Sequence, residues 1–547
     1  MRSRTGAGAP PTNAAIADQL ALFSSLLELA EASPYAARAY RRAADLIRSL
    51  PDSAAELVRS GRIRELRGIG PGIAEKLGEL VETGEIAELR ELERRVEPEL
   101  VALGNLVGLG ARRTLEIGRA LGITTAAELR EAVEEGRLPS VPGIGPTTEA
   151  RILASLERPP RARRGLTLNR SRPLSAAVAA ALDGVYAGEP RRFCELSYEL
   201  AVVCATAEPA AKLRQFESLA QIVSVLEHGD RHAVGLTVEG VPVRLVACDP
   251  ASFGTELVRA TGSDEYVRAL EPMPPMPDEE SLFARLGIPY CPPELREAPR
   301  ATSPPGLIGK ADVRGDLHCH TTWSDGKATL HEMAVAARER GHEYLAICDH
   351  SPNVRVVTGL TSDDLRRQGE EIDESNELVA PFRILRGVEC DIRPDGTLDV
   401  EDEVLAELDW VQLSLHAGQR RGRDELTTIV TQAMRNPYVR ALSHPKGRIL
   451  NHRPENALDL DEVFRVAIET GVALEVNGLP DRLDLSGIHV SEAVAAGVRL
   501  VLNSDAHSVQ GLANIELAVA TARKGAATID AVVNAQPADQ LARPWGE

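Results

Sequence analysis

The sequence predicts a multidomain chain with a helical N-terminal half, an α+β domain in the middle and a distorted (β/α)7 barrel of α/β type at the C-terminus. Three observations predict this. Apolar residues recur at helical spacing from Ile16 to Val58, they alternate in short runs across 174–297, and in the last third short apolar runs alternate with amphipathic segments. A chain of 547 residues is also too long for a single hydrophobic core.

The composition excludes several classes of protein. No apolar run reaches the roughly 18 residues of a membrane helix, and the basic residues at the N-terminus are not followed by the apolar run of a secretion signal. We therefore expect a cytoplasmic protein with no membrane partner. Seven scattered cysteines without a C-x-x-C pair argue against a disulfide framework or a zinc ribbon. A net charge of −19 argues against coating nucleic acid by bulk electrostatics, but it permits a local contact with the DNA backbone.

The N-terminal half contains three copies of a glycine-centred pattern, "LRGIGPGIAEKL" from Leu66, "LVGLGARRTLEI" from Leu106 and "VPGIGPTTEARIL" from Val141. Glycines suit a tight hairpin between two helices, and the amides of the second helix then bind a phosphate without contacting bases. The alternative is a plain glycine turn in a helical pair. We predict helix-hairpin-helix DNA contacts at Gly68, Gly70, Gly72, Gly108, Gly110, Gly143 and Gly145.

Two proline-bearing stretches separate the regions of the chain. The first, "ERPPRARRGLTLNRSRP" from Glu157, carries six arginines and is either a phosphate contact or a solvated tether. The second is "REAPRATSPPGLIGK". Between them, "YELAVVCA" and "VPVRLVAC" predict strands of the α+β domain. The predicted domains span residues 1–88, 89–160, 174–297 and 312–547.

The C-terminal third repeats a strand-then-helix unit seven times, one fewer than in the common eight-stranded barrel. The carboxyl ends of barrel strands face one mouth, so residues distant in sequence converge there. The predicted strands, with the polar residues that follow them, are "VRGDLHCH", "YLAICDH", "RILRGVEC", "DWVQLSLH", "VRALSHP", "VALEVNG" and "RLVLNSDAH".

Imidazoles and carboxylates are concentrated at these strand ends. Six of the twelve histidines of the chain lie there, which random placement and ordinary structural roles do not explain. Such ligands without thiolate suit Mn, Zn or Fe, and their number exceeds one ion, so we predict two or three divalent ions. Cys319 and Cys348 are assigned to the core, and Asp349 and Asp391 to orienting imidazoles. The predicted ligands are His318, His320, Asp325, His350, Glu389, His416, His444, Asp505 and His507.

The motifs H-x-H, D-H-S, G-x-E, S-x-H, H-P and D-A-H make the segment from Asp312 to Glu547 resemble a PHP (polymerase and histidinol phosphatase) domain. It departs from the usual pattern in Cys348 and Lys446, neither of which replaces a ligand. Arg448 and Arg482, close to the same mouth in the predicted barrel, are candidate phosphate clamps, with solvated surface arginines as the alternative.

Together with "SPYAARAYRRAADLI" from Ser33, the glycine repeats make the whole chain resemble a bacterial family X DNA polymerase with a fused PHP domain. The resemblance implies a DNA repair protein with a Mn-dependent 3′–5′ exonuclease that acts on gapped, nicked or 3′-ended DNA and opens abasic sites or removes 3′-phosphates. It also implies that Lys76 attacks a sugar aldehyde if its pKa is depressed. A phosphate or solvent contact is the alternative for Lys76.

The region that resembles the polymerase-beta-like palm departs from the family at its catalytic positions. Glu189 replaces a serine, and Glu199, Ala201 and Pro242 align with the three metal-binding carboxylates. One glutamate cannot hold and bridge two metals, so templated polymerase activity is predicted to be lost. Because Arg191, Arg192 and "TGS" at 261–263 are retained, the domain is expected to keep its fold as a scaffold.

Two rival functions stay open at this stage. One is a small-molecule phosphatase of the histidinol phosphate type, for which a preference for phosphomonoesters over DNA would be the sign. The other is a non-catalytic DNA-binding scaffold with a structural metal cluster, which nine ligands disfavour because structural sites usually need four. The sequence specifies neither the native metal, the lesion nor the oligomeric state.

Overall fold

The computed structural model describes residues 11, 13–29, 34–50, 53–66, 68–95, 104, 107, 109, 111–123, 125–142, 144–145, 148–150, 152, 154, 165–237, 239–299, 302–353 and 358–541. Contacts divide the chain into two compact units, Met1–Tyr290 and Cys291–Glu547. The finer division into four domains stays a prediction. In the described residues, no helix is long and apolar enough to cross a membrane.

The first unit begins with helices whose apolar faces share one core. Phe23 and Leu77 are completely buried in it, and the N-cap Ser53 accepts a hydrogen bond from the amide of Glu56. The helical spacing in the sequence is therefore confirmed. The helices are α1 (Asn13–Leu29), α2 (Pro34–Ser49), α3 (Ala54–Arg59), α4 (Pro71–Thr83), α5 (Ala87–Arg95), α6 (Ala111–Leu121) and α7 (Ala126–Glu134).

An α+β domain completes the first unit. Within residues 165–237 and 239–290, five strands form a mixed sheet in the order β2-β4-β7-β6-β5, in which β4 and β7 are parallel, and β1 pairs with β3 separately. The predicted strands "YELAVVCA" and "VPVRLVAC" correspond to β4 and β7. The strands are β1 (Leu166–Thr167), β2 (Val185–Ala187), β3 (Leu196–Ser197), β4 (Leu200–Ala205), β5 (Ser224–His228), β6 (His232–Leu236) and β7 (Pro242–Cys248).

The helices of this domain contact the sheet through buried apolar side chains such as Val178, Phe216 and Leu257. They are α8 (Leu168–Ala181), α9 (Gly188–Arg191), α10 (Pro209–Glu217), α11 (Phe253–Thr261), α12 (Asp264–Leu270) and α13 (Glu279–Leu286).

The second unit contains the barrel. Seven parallel strands in its described residues form one sheet in strict sequence order, and they coincide with the seven predicted segments. Most residues of these strands are buried because both faces of the sheet are covered. They are β8 (Gly315–Cys319), β9 (Tyr344–Ile347), β10 (Arg383–Asp391), β11 (Trp410–Ser414), β12 (Ala441–Leu442), β13 (Ala473–Asn477) and β14 (Leu500–Asn503).

Helices between the strands cover the sheet with a large buried apolar cluster. Helix α14 has a capping box in which Thr329 and Glu332 each bond the backbone amide of the other residue. The helices are α14 (Leu330–Glu339), α15 (Ser362–Val379), α16 (Asp402–Leu405), α17 (Arg423–Ala433), α18 (Leu460–Thr470), α19 (Gly487–Ala496), α20 (Ile515–Lys524) and α21 (Ala538–Leu541).

Side chains close the barrel between its first and last strands. In the described residues β8 and β14 share no continuous ladder, but the buried Asn534 donates to the carbonyls of Gly315 (2.8 Å) and Leu502 (2.6 Å) and accepts from the amide of Leu502 (3.0 Å). The side chain of Asn503 accepts from the amide of Leu317 at 3.1 Å. Two asparagines thus provide at this seam the hydrogen bonds that a strand ladder provides elsewhere.

Candidate metal centre

The nine predicted ligands lie at the carboxyl ends of the strands, as the barrel topology requires. His318 is inside β8 and His320 follows it, while Asp505 and His507 follow β14 across the seam. The amide of His320 donates to the carbonyl of Ala506 at 2.8 Å, so the first and last strand ends are directly joined. Residues almost 190 positions apart in sequence therefore share one pocket.

One group consists of His318, His320 and Asp505, all buried. The Nε2 atoms of the two histidines lie 3.2 Å apart, and Nε2 of His320 lies 3.2 Å from Oδ1 of Asp505. Two imidazole nitrogens and a carboxylate oxygen that face one another at this distance have the arrangement of ligands around an ion.

Asp325 joins two further histidines to the same pocket. Its Oδ2 lies 3.3 Å from Nε2 of His507, and its Oδ1 lies 3.6 Å from Nε2 of His350. His320 and His507 stack with their ring centroids 4.1 Å apart. His320, Asp325, His350 and His507 together form a second group with the spacing of metal ligands.

Glu389, in β10, faces both sides of the pocket. Its Oε2 lies 2.8 Å from Nδ1 of His350 and 3.6 Å from Nε2 of His318. Its Oε1 lies 3.0 Å from Nε2 of His444 and 3.6 Å from Nε2 of His416. A carboxylate between two sets of imidazoles has the position of a ligand that bridges two ions.

The electrostatics of the pocket favour a cation. Burial and the nearby His507 and His350 lower the pKa of His320 to about 3. Burial also lowers the pKa of His350, but the charges of Glu389 and Asp325 outweigh this and raise it to about 10. Carboxylates in this pocket thus favour a proton on His350, whereas burial and neighbouring imidazoles disfavour one on His320. Since metal ligands must lose their protons, a divalent ion would replace these protons.

A buried acid that the sequence analysis did not select supports the centre. Oε1 of Glu475, in β13, lies 2.7 Å from Nδ1 of His318 and accepts from Gln412 at 3.0 Å and Asn503 at 2.9 Å. Its Oε2 accepts from the amide of His444 at 2.8 Å and from Asn477 at 3.1 Å. The contact with Nδ1 leaves Nε2 of His318 to face the pocket. An acid inside the apolar run "VALEVNG" was the available signal.

The residues present fit divalent metal ions. Nδ1 of His320 is buried and has no hydrogen-bond partner in the described residues, which is costly for a neutral imidazole without a further ligand. The donor set is imidazole and carboxylate. Cys319 and Cys348 are buried in apolar clusters, as predicted, and burial raises the pKa of both thiols.

Of the two aspartates predicted to orient imidazoles, only Asp391 contacts one. Oδ1 of Asp391 lies 3.4 Å from Nδ1 of His416 and accepts from the amide of the same residue at 3.0 Å, as expected. Asp349 instead accepts from the amide and hydroxyl of Thr321 and from Gln368. The expectation for Asp349 is therefore wrong, because its carboxylate bonds the loop that follows β8 rather than an imidazole.

The two arginines predicted as phosphate clamps differ in their hydrogen-bond partners. Arg448 is buried, and its guanidinium donates to the carbonyls of Arg482 (2.9 Å) and Leu483. This corrects the expectation for Arg448, whose guanidinium bonds the backbone of a neighbouring loop. Arg482 has a buried Nη1 without a hydrogen-bond partner among the described residues. Burial and the charge of Arg482 lower the pKa of Arg453, a third arginine that the sequence analysis missed.

The first glycine pattern forms the predicted hairpin. Gly68 has a φ of 103°, and Gly70 is the N-cap of α4, with Pro71 in its first turn. A Cβ added at Gly70 or Gly72 would meet no atom within 4 Å, so a ligand has room to approach both. The same is true of Gly145 in the third pattern. Gly108, Gly110 and Gly143 lie outside the described residues.

Lys76 does not meet the condition set for a Schiff-base nucleophile. Its Nζ lies 3.1 Å from Glu88 and 3.6 Å from Glu79. Burial lowers the pKa of Lys76, but the hydrogen bond and charge of Glu88 outweigh burial and raise it above the ordinary value. The ammonium therefore stays protonated, and the expectation of a lyase nucleophile is corrected.

An ion pair lies where the sequence analysis aligned the palm carboxylates. Nε of Arg244 donates to Oε1 of Glu199 at 2.9 Å, and Arg244 pairs in register with Ala201. Glu189 instead accepts from the amides of Tyr198 and Glu199. Among the described residues of this domain, no group of three imidazole, thiol or carboxyl side chains has metal-ligand spacing. Arg191 and Arg192 bond the end of α11, so both contribute to the fold.

Comparisons with known proteins place the two ends of the chain in separate domain families. Residues 11–86 match a helix-hairpin-helix domain, and residues 316–478 match a PHP domain. The chain is 34% identical over 546 residues to the DNA polymerase/3′-5′ exonuclease PolX of Bacillus subtilis (strain 168). The aligned region covers 93% of this chain and 95% of that protein.

Shorter matches are to probable phosphatases. A probable phosphatase of Acetivibrio thermocellus is 33% identical over 202 residues, which are 35% of this chain and 78% of that protein. A probable phosphatase of Syntrophotalea carbinolica is 33% identical over 172 residues, which are 31% of this chain and 66% of that protein.

We expect the substitution Glu475→Gln to weaken metal binding without removing any of the nine predicted ligands. The amide cannot accept all five hydrogen bonds and loses the charge opposite His318, so affinity should fall by about 10- to 100-fold. Titration of the protein with Mn²⁺, after a chelator has removed its metal, measures this affinity. The matched control is Glu462→Gln, an exposed residue of α18. Unchanged affinity in Glu475→Gln would show that the carboxylate does not support the centre.

Proposed function

The chain belongs to the PolX family, and we propose that its barrel is a divalent-metal-dependent phosphodiesterase that removes nucleotides from the 3′ ends of DNA. The observation that carries this proposal is the convergence of imidazoles and carboxylates from strands β8, β10 and β14 in one pocket, with interatomic distances of 2.8–3.8 Å. The exonuclease named in the Bacillus subtilis relative supports the substrate. We further propose that the protein acts on DNA in the cytoplasm.

In this proposal the nine strand-end residues, Glu389 among them, would hold two or three divalent ions. Bound divalent ions activate water and offset the charge that develops on a phosphoryl group, and Mn²⁺ suits the mixed donors. Glu475 fixes the tautomer of His318, and Asp391 contacts His416. Asn477 donates to Oδ2 of Asp505 at 2.8 Å and leaves Oδ1 to face His320. The protein thereby presets each ligand before substrate arrives.

Arginines beside the pocket have the charge to hold the DNA phosphates. Arg482 and Arg453 lie close enough for one charge to lower the pKa of the other. A phosphate oxygen between them would relieve this repulsion, and a guanidinium fork matches its geometry. The loop that contains Arg453 lines a cavity of about 410 Å³ and follows the predicted ligand His444 directly.

The hairpin at Gly68–Gly72 would bind the backbone of the same DNA. The N-terminus of α4 presents unpaired amides and the positive end of the helix dipole to a phosphate. Contacts of this kind position DNA without recognising bases, and they suit a chain with a net charge of −19. Gapped, nicked and 3′-ended DNA are the proposed forms.

We further propose that the palm-like domain does not polymerise. Its Glu199 is neutralised by Arg244, and Ala201 and Pro242 offer no ligands. Two-metal nucleotidyl transfer needs carboxylates at these positions.

A phosphomonoesterase is the second candidate. The probable phosphatases that match part of the chain favour it. The hairpin at the N-terminus of α4 favours DNA, because hydrolysis of a small phosphate ester does not require a separate contact with a nucleic-acid backbone.

The double substitution His318→Ala/His320→Ala should abolish 3′-end digestion, with a loss of about 1,000-fold or more in rate, since His318 belongs to one ligand group of the pocket and His320 to two. The assay follows a 3′-labelled duplex with Mn²⁺, with and without chelator. His331→Ala, on the exposed face of α14, is the matched control. Undiminished digestion by the double variant would remove the barrel from the reaction. Faster hydrolysis of a phosphomonoester than of DNA would favour the second candidate.

The substitution Gly72→Glu should weaken binding to a gapped duplex about tenfold, because it puts a carboxylate at the amides proposed to meet the phosphate. Fluorescence anisotropy at fixed salt concentration measures the affinity. Gly78→Glu makes the same change further along α4, also where no atom lies within 4 Å, and should leave affinity nearly unchanged. Equal effects of the two changes would point to net charge rather than to the hairpin.

The purified chain should not extend a primer on a template when supplied with nucleoside triphosphates and Mn²⁺. The reason is the ion pair between Glu199 and Arg244 at the former metal position. The His318→Ala/His320→Ala chain is the form to use, because it cannot degrade the product. Template-dependent extension by this chain would overturn the proposed loss of polymerase activity.

A further inference from the structure

A cavity of about 340 Å³ lies in the second unit, and none of its lining residues is among the nine candidate ligands. It is bounded by the segment before β8, by the connection from α14 to β9, and by α20. Its volume falls within the range of roughly 300–1,000 Å³ that is usual for small-molecule sites.

Three basic side chains line this cavity, namely Lys310, Arg340 and His342. Nδ1 of His342 is buried and has no hydrogen-bond partner in the described part of the chain. Burial lowers the pKa of His342 to about 4, and the charges of Arg340 and Lys310 contribute to the shift. The carboxylate of Glu516 pairs with Lys310. Because Glu516 offsets only the charge of Lys310, an anion in the cavity would balance the positive charge of Arg340.

The rest of the cavity wall is apolar. Val313, Ile515 and Val519 line it, and all three side chains are buried. Basic groups beside an apolar wall match a ligand with an anionic group and an apolar or aromatic body. Arginine favours phosphate among anions because its fork meets two oxygens at once.

We propose that this cavity binds an organic phosphomonoester, such as a nucleoside monophosphate, with its phosphate at Arg340, His342 and Lys310 and its body against Val313, Ile515 and Val519. The site is separate from the metal centre and does not rest on the function proposed for it. Nothing in its lining suggests catalysis, so binding is the property to test.

The test uses full-length protein that carries His318→Ala/His320→Ala and is kept in excess chelator, so that phosphate does not bind through metals. Calorimetric titration with dAMP should reveal one site, and Arg340→Gln should weaken it about tenfold because the bidentate contact is lost. Arg285→Gln, an exposed arginine of α13 in the other unit, is the charge-matched control and should bind as before. Inorganic phosphate should bind more weakly than dAMP, since it lacks a body to contact the apolar wall.

A second measurement guards against a variant that fails to fold. In the protein without a substitution at Arg340 or His342, saturating dAMP should raise the pKa of His342 from about 4, as followed by NMR of labelled histidine. Absence of dAMP binding, equal affinity in Arg340→Gln, or an unmoved His342 would overturn the proposal. Equal affinities for inorganic phosphate and dAMP would contradict the proposal that the ligand has an organic body.

Discussion

The carboxylate of Glu475 is the interaction on which the barrel and its pocket both depend. It takes hydrogen bonds from side chains of β8, β11, β13 and β14 and from the amide that follows β12. A buried charge is tolerable only when its lone pairs are satisfied, and each of these donors contributes to that. The same bonds fix where His318 and His444 sit. The packing of the strands and the geometry of the ligands therefore depend on the same hydrogen bonds. A shift of any one of these strands would move the ligands of the pocket.

The nine strand-end residues could be predicted because parallel strands bring their carboxyl ends to a single mouth, whatever the side-chain details. Glu475 was not predicted because it lies before the end of its strand and matches none of the motifs used, although an acid within an apolar run was a signal of burial. The roles of Arg448 and Asp349 could not be predicted either. Both depend on which backbone groups a loop leaves unsatisfied, and this is decided by tertiary packing.

Local charge explains two further differences between sequence and structure. The environment of Lys76 includes Glu88 from another helix, so its pKa could not be inferred from its own segment. In the domain with the five-stranded mixed sheet, the sequence predicts that carboxylates are missing, but it does not predict that Arg244 pairs with Glu199. Glu199 thus has a counter-ion within the protein, which the sequence pattern alone does not reveal.

The seam between β8 and β14 has a consequence for biosynthesis. His318 lies in the first barrel strand and His320 follows it, whereas Asp505 and His507 are translated almost 190 residues later and the closing Asn534 later still. A nascent chain that lacks its last strand has neither a closed sheet nor a complete ligand set. The candidate ligand set is therefore completed only when β14 and the residues that follow it have been synthesised.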